Sequence, residues 1–145
     1  MLDIEQTAEV VIDTGFKLHQ TLGPGLLESA YELILSERLR SLGLKIDRQK
    51  PSNIAYEGLK IENALRIDLL VEDRIILELR SVEYTLPVHL KQVLTCFRLT
   101  ELSLGFVFNF GAPTFKSGLR RVVNNHPTTF AASRLRASQN VEVNP

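Results

Sequence analysis

The run LGFVFNF, residues 104–110, constrains this chain more than any other. Side chains alternate between faces along a strand, so a segment apolar at nearly every position must be covered on both sides. That calls for a sheet with helices on either face. Ile4, Ala8, Val11, Ile12, Gly15, Leu18 and Leu22 recur at helical spacing until Gly23-Pro24-Gly25 stops the pattern. A second helix from about Leu27 carries Ala30, Tyr31, Ile34, Leu35, Leu39 and Leu42 on one side, with Gly43 as a left-handed cap. The short joint predicts a helix hairpin. Pro87 opens a third helix reaching about Leu99, with Val88, Val93, Leu94 and Phe97 apolar.

Between the helices the period switches to strands. Residues 44–48 read as a short strand before Pro51, and residues 54–56 and 59–61 as a hairpin around Glu57-Gly58. Residues 64–71 and 74–82 form a second hairpin around Glu72-Asp73; residues 111–118 read as a loop and 119–123 as an edge strand. The expected fold is α/β (α+β): a mixed central sheet flanked by helices, with an N-terminal helix hairpin. One domain is expected over residues 1–124, followed by a weakly ordered polar and basic tail over 125–145.

Composition excludes several classes. No apolar run is long enough to span a membrane, and the acidic N-terminus is not a signal peptide. A single cysteine, Cys96, excludes an internal disulfide framework and a four-cysteine cluster. A cytoplasmic protein is the simplest reading. The net charge is zero, so no global basic field marks a nucleic-acid partner. Residues 1–100 nevertheless carry a balance of −3 and residues 101–145 one of +3. Lys116, Arg120, Arg121, Arg134 and Arg136 are a thin cluster, read as a solvated tail and a polar strand face rather than a phosphate-contacting surface.

The segment RIDLLVEDRIILELR, residues 66–80, interrupts its apolar runs with Asp68, Glu78 and Arg80. Arg66, Asp68 and Leu70 share one strand face, as do Arg74, Ile76, Glu78 and Arg80. If the register sets Asp68 beside Glu78, two carboxylates converge and repel unless a positive charge joins them. A divalent cation, Mg²⁺ or Mn²⁺, suits oxygen ligands from Asp68, Glu78 and the Leu79 carbonyl. Arg80 or Arg66 pairing with the acids is the simpler alternative, and spacing alone does not choose. Arg80 is expected to reach Asp68 across the hairpin and bridge both acids.

The run Gly25-Leu-Leu-Glu28-Ser-Ala-Tyr31 resembles the signature of the small bacterial GxxExxY proteins. The similarity continues through Tyr56-Glu57-Gly58, residues 66–71, residues 76–79, Ser81-Val82-Glu83, His89, Gln92, Asn109-Phe110-Gly111 and residues 118–124. That family is similar to a compact branch of the PD-(D/E)XK nuclease superfamily, which implies a restriction-endonuclease-like core and metal-dependent hydrolysis of nucleic acid. The resemblance implies Glu28 as the helix acid and Asp68 and Glu78 as the metal-holding sheet acids. It implies Gln92 as a residue bordering the site, as in RecB-like members. Gly25 then allows a tight entry to the helix, Glu28 sits one turn in, and Tyr31 lies a turn further along nearly the same face. Where the superfamily has Glu-x-Lys, this chain has Glu78-Leu79-Arg80. Arginine keeps its proton and cannot act as a base, but it can stabilise a phosphate or clamp carboxylates.

Lys91, beside Gln92, is a candidate amine from the third helix, and His89 shares a helix face with Gln92, where a structural role comes first. His19 and His126 read as surface residues, Cys96 as a packed helix residue, and Asn109 as a partner for the Gly111 turn. Two functions follow: a metal-dependent phosphodiesterase, or a non-catalytic nucleic-acid-binding or protein-interaction module that keeps the fold. A homodimer suits either. Removing residues beyond Asn125 is expected to leave the thermal unfolding midpoint nearly unchanged; a loss of several kcal/mol, on the scale of a packed element, would contradict the tail assignment.

Overall fold

Asp3 starts the first helix as a capping box: its carboxylate accepts the Gln6 N–H at 2.8 Å and Gln6 Oε1 accepts the Asp3 N–H at 3.0 Å. The second helix ends in a Schellman turn, with Leu44 N–H donating to Leu39 O and Gly43 N–H to Arg40 O. The computed structural model describes residues 2–100 and 102–124. In chain order the elements are α1 (Ile4–Leu22), α2 (Glu28–Ser41), β1 (Ile46–Tyr56), β2 (Leu59–Val71), β3 (Ile75–Arg80), α3 (Pro87–Leu99), β4 (Leu104–Asn109), α4 (Phe115–Gly118) and β5 (Leu119–Val123). The expected tail, with His126, lies outside the described residues. Among those residues no helix is long and apolar enough to cross a membrane.

The strands form one sheet in the order β1-β2-β3-β4-β5. Only β3 and β4, joined through α3, are parallel; the other neighbours are antiparallel. This is the mixed, helix-flanked α+β sheet expected from the sequence. Each face has its own core. On one, Ala8, Val11, Leu35 and Leu39 pack against Leu69, Leu77, Phe106 and Phe108. On the other, Val93, Cys96 and Phe97 of α3 cover Leu70, Ile76, Val107 and Val122. The LGFVFNF strand is buried throughout, as its composition demands.

Three differences from the expected elements have physical causes. The separate short strands before Ala64 are continuous: β1 runs through Pro51, because β1 is an edge strand where a missing N–H costs no ladder bond. The loop over 111–118 contains α4, capped by Thr114 and Ser117 and anchored by buried Phe115. His19 is not at the surface. Its helix face points inward, where Nε2 lies 2.9 Å from the Ala112 carbonyl and the ring stacks near Phe110.

Asn109 does more than close the Gly111 turn. Its Oδ1 accepts the N–H groups of both Val82 and Gly111 at 3.0 Å, and its Nδ2 donates to Thr85 Oγ1 at 3.2 Å. One buried amide thus ties the loop after β3 to the loop after β4. The loops approach so closely that a Cβ at Gly111 would lie 2.4 Å from the Val82 carbonyl oxygen. Asn109→Ala strands two backbone N–H groups and is expected to cost roughly 2–4 kcal/mol, read by urea unfolding; a cost within experimental error of zero would show that water replaces the amide.

Candidate active site at a fork in the sheet

The ladder between β2 and β3 has three residue pairs: Val71↔Ile75, Leu70↔Ile76 and Leu69↔Leu77. Beyond them β2 stays with β1 while β3 stays with β4. Asp68 and Glu78 are the first residues past the last pair, in register with it. As the strands part, Asp68 Oδ2 accepts the Leu79 N–H at 2.9 Å, in place of a ladder carbonyl. The expected placement of the two acids at one point on adjacent strands is therefore what the backbone produces.

Glu28 reaches the fork from α2, as its first residue rather than one turn in. Its Oε1 accepts the Ser81 N–H at 3.3 Å, and Ser81 Oγ donates to Leu26 O at 2.7 Å. The rest of the Gly25–Tyr31 motif holds that entry in place. Gly25 has φ +123°, a conformation side chains rarely tolerate. The Tyr31 hydroxyl donates to Gly23 O and accepts the Leu26 N–H, while its buried ring stacks on Phe110 at 4.4 Å.

Arg80 meets one of its two expected partners, Glu78, and not the other. Its guanidinium lies 2.6 Å from Glu78 Oε1 and 3.8 Å from Glu28 Oε2, and donates to Leu79 O at 3.2 Å and to Gln92 Oε1. It makes no ion pair with Asp68, whose Oδ2 is already turned to the Leu79 amide. Arg80 bridges Glu78 to the helix acid, not to the strand acid. Gln92 joins the site as expected. His89 borders it but serves the start of α3, where Nδ1 accepts the Leu86 N–H at 3.1 Å. Lys91 is exposed, and its ammonium makes no hydrogen bond or ion pair among the described residues. Arg66 is likewise exposed and makes no ion pair with either acid among the described residues.

Two residues near Asp68 escaped the sequence reading. Glu32 is buried, accepts from Arg48 Nη2 at 3.0 Å, and takes a hydrogen bond from the Gln49 amide. Gln49 also lies 3.4 Å from Asp68 Oδ1, so it links the two carboxylates. The four-residue spacing of Glu28 and Glu32 on one helix face was the available signal. Glu28, Ser29, Glu32, Gln49, Asp68 and Leu79 line a cleft of about 180 Å³.

Crowding of carboxylates sets the electrostatics. Burial, then the Asp68 charge, pushes Glu78 up to about 7, with Arg80 offsetting part of the rise. Asp68 is also raised, by burial first, against the opposing Leu79 N–H and Arg80. Burial, then the two carboxylates, lifts the Cys96 thiol to about 11, which suits a packed residue and not a nucleophile. The oxygen donors of Asp68, Glu78 and Leu79 suit a hard divalent cation in type. In this arrangement, however, Arg80 already binds Glu78 Oε1 and Leu79 O. Among the described residues no group of three or more His, Cys, Asp or Glu stands ready to hold a metal ion.

Comparison with known proteins gives one match. A family model for the PD-(D/E)XK nuclease superfamily covers residues 5–122. No curated protein and no solved structure matches the chain.

The raised Glu78 carboxyl carries a pH signature. Between its ordinary 4.5 and about 7, the folded chain binds more protons at this site than the unfolded chain. Stability from this group therefore falls as pH rises through that window, and Asp68 acts in the same direction. Glu78→Gln should flatten the slope in urea unfolding measured across the window. Equal slopes in wild type and Glu78→Gln would show that Glu78 does not titrate there.

Proposed function

The chain belongs to the PD-(D/E)XK nuclease superfamily, and on that premise we propose that it is a nucleic-acid phosphodiesterase whose site rests closed under Arg80. The observation that carries this reading is the 2.6 Å ion pair between Arg80 and Glu78, with the same guanidinium on Leu79 O. Arg80 stands where the superfamily's lysine is expected and binds the oxygens that a cation would use. The Gly25–Tyr31 motif supports the finer placement among GxxExxY proteins.

In this reading water attacks the phosphorus and the bond to the leaving oxygen breaks. Asp68, oriented by the Leu79 amide, and Glu78 would hold Mg²⁺ or Mn²⁺, which when bound would supply charge neutralisation and lower the pKa of water. Glu28 positions Ser81 and orders water at the helix side. Arg80 keeps its proton, so its role is to donate N–H groups to a non-bridging phosphate oxygen. A substrate phosphate presents oxygens in the fork geometry that guanidinium prefers, and so competes directly with Glu78. Moving Arg80 onto the phosphate frees Glu78 Oε1 and Leu79 O. Gln92, already hydrogen-bonded to Arg80, guides that exchange.

The same clamp favours a second reading, a non-catalytic nucleic-acid-binding or protein-interaction module in which Arg80 never leaves. A guanidinium held between Glu78 and Glu28 is costly to release without a substitute anion. A homodimer belongs to either reading. Its support is the apolar side of the β1–β2 ribbon, where Ile54 pairs with Ile61 and exposed Tyr56 with exposed Leu59.

Calorimetric Mg²⁺ and Mn²⁺ titration with oligonucleotide cleavage separates the readings. Wild type should bind metal weakly and cleave slowly or not at all. Arg80→Lys should bind about tenfold or more tighter and cleave faster, because a compact ammonium leaves carboxylate oxygens open. Asp68→Ala is the blank. Robust cleavage by wild type, with Arg80→Lys no better, would remove the clamp from the account. No cleavage by either protein would favour the non-catalytic module.

A further inference from the structure

A second cleft, of about 550 Å³, opens beyond the carboxyl ends of the parallel strands β3 and β4. This is the side of an α/β sheet where ligands commonly bind. Its wall is made by Tyr84 and Thr85 after β3, Thr114 and Ser117 around α4, and Arg120 on β5, with Glu83 at one margin. Its volume falls within the range of about 300–1,000 Å³ typical of small-ligand sites. The buried Asn109 amide, already bound to Val82, Thr85 and Gly111, holds both loops that form the wall.

Arg120 is not a solvated strand residue beside this cleft. Its Nη1 donates to the carbonyls of Ser117 and Leu119, which fixes the side chain. Among the described residues it has no carboxylate partner. Glu78 pairs laterally with Val107, and Val107 with Arg120, so the three form one row across the sheet. Two strand spacings of about 4.8 Å put the Arg120 backbone about 10 Å from that of Glu78. Tyr84 is 71% exposed, an aromatic ring offered to solvent at the mouth of the cleft. Thr85 Oγ1 accepts from Asn109 and keeps its own O–H to donate.

We propose that this cleft is a nucleotide subsite for single-stranded nucleic acid, with an unstacked base on Tyr84 and its phosphate on Arg120. Every base has a face that stacks on an aromatic ring, and a single strand can present it, whereas a duplex keeps its bases stacked within. The ligand class rests on the nuclease reading, but binding here needs neither metal nor cleavage. Val107, between Arg120 and Glu78 in that row, is buried beneath α3, so the subsite is a separate opening from the fork.

Fluorescence anisotropy of short labelled DNA and RNA strands, alone and as duplexes, tests this with the full chain in EDTA. Single strands should bind about tenfold or more tighter than duplexes. Tyr84→Ala should weaken single-strand binding by about tenfold, and Tyr84→Phe should preserve it. Arg120→Gln should weaken binding and reduce the salt slope by about 0.7, while Arg120→Lys keeps that slope. DNA and RNA strands compared at equal length decide which sugar the site takes. Binding unchanged in both Tyr84→Ala and Arg120→Gln overturns the proposal, as does equal affinity for duplex and single strand. Failure of the cleavage experiment with these results intact would leave the subsite standing and remove only the hydrolysis.

Discussion

The hydrogen bond from the Leu79 amide to the Asp68 carboxylate is the interaction on which the site depends. A sheet can part in its middle only if the backbone groups released there find other partners, because an orphaned buried N–H is costly. Asp68 supplies that partner at 2.9 Å. The ladder can then end after Leu69↔Leu77, and α2 can bring Glu28 and Glu32 to the opening. An acid inside an apolar strand is thus structural before it is chemical. Replacing it with a valine of the right size would satisfy the core pattern and leave the fork without its acceptor.

The second consequence is a shortage of positive charge. Asp68, Glu78, Glu28 and Glu32 crowd one opening, answered by Arg80 on one side and by Arg48 and Gln49 on the other. Glu78 is raised to about 7 even with a guanidinium 2.6 Å away, because burial and Asp68 outweigh it. Arg80 therefore satisfies the geometry of Glu78 without fully neutralising the cluster. That imbalance is what leaves an added cation, or a phosphate that draws Arg80 away, with something to gain.

The sheet and its helices were legible because LGFVFNF, the α1 stripe and the Pro87 helix each have one dominant period. The acid pair was legible because Asp68 and Glu78 break apolar runs, and a charge there is conspicuous. Glu32 and Gln49 were not, since a glutamate on a helix and a glutamine on an edge strand look like solvated residues until the fold closes around them. His19 failed for the same reason: its environment is made by Ala112 and Phe110, far away in sequence. Arg80 was placed on the correct face and with Glu78 correctly, but its second partner is Glu28 rather than Asp68. Alternation fixes the side of the sheet, while the rotamer was decided by an amide that had already claimed Asp68. Arg120, read as part of a thin basic stretch, lines a cleft with Tyr84 and Thr85 that only the fold brings together.

The β1–β2 ribbon outruns the sheet, since β2 has β3 beside it only from Leu69 to Val71. A free two-stranded ribbon is marginally stable in water. Its tip, around Glu57 and Gly58, therefore opens and closes on a free-energy scale well below that of global unfolding. The root of the same ribbon carries Arg48 and Gln49, the partners of Glu32, and Gln49 also faces Asp68. Fraying that travels down the ribbon would uncover the carboxylates on the α2 side while the cores of both faces stay intact. The molecule thus contains a slack region whose far end is solvent and whose near end is a gate post of the acid cluster, so that whatever grips the tip stiffens the opening between the strands.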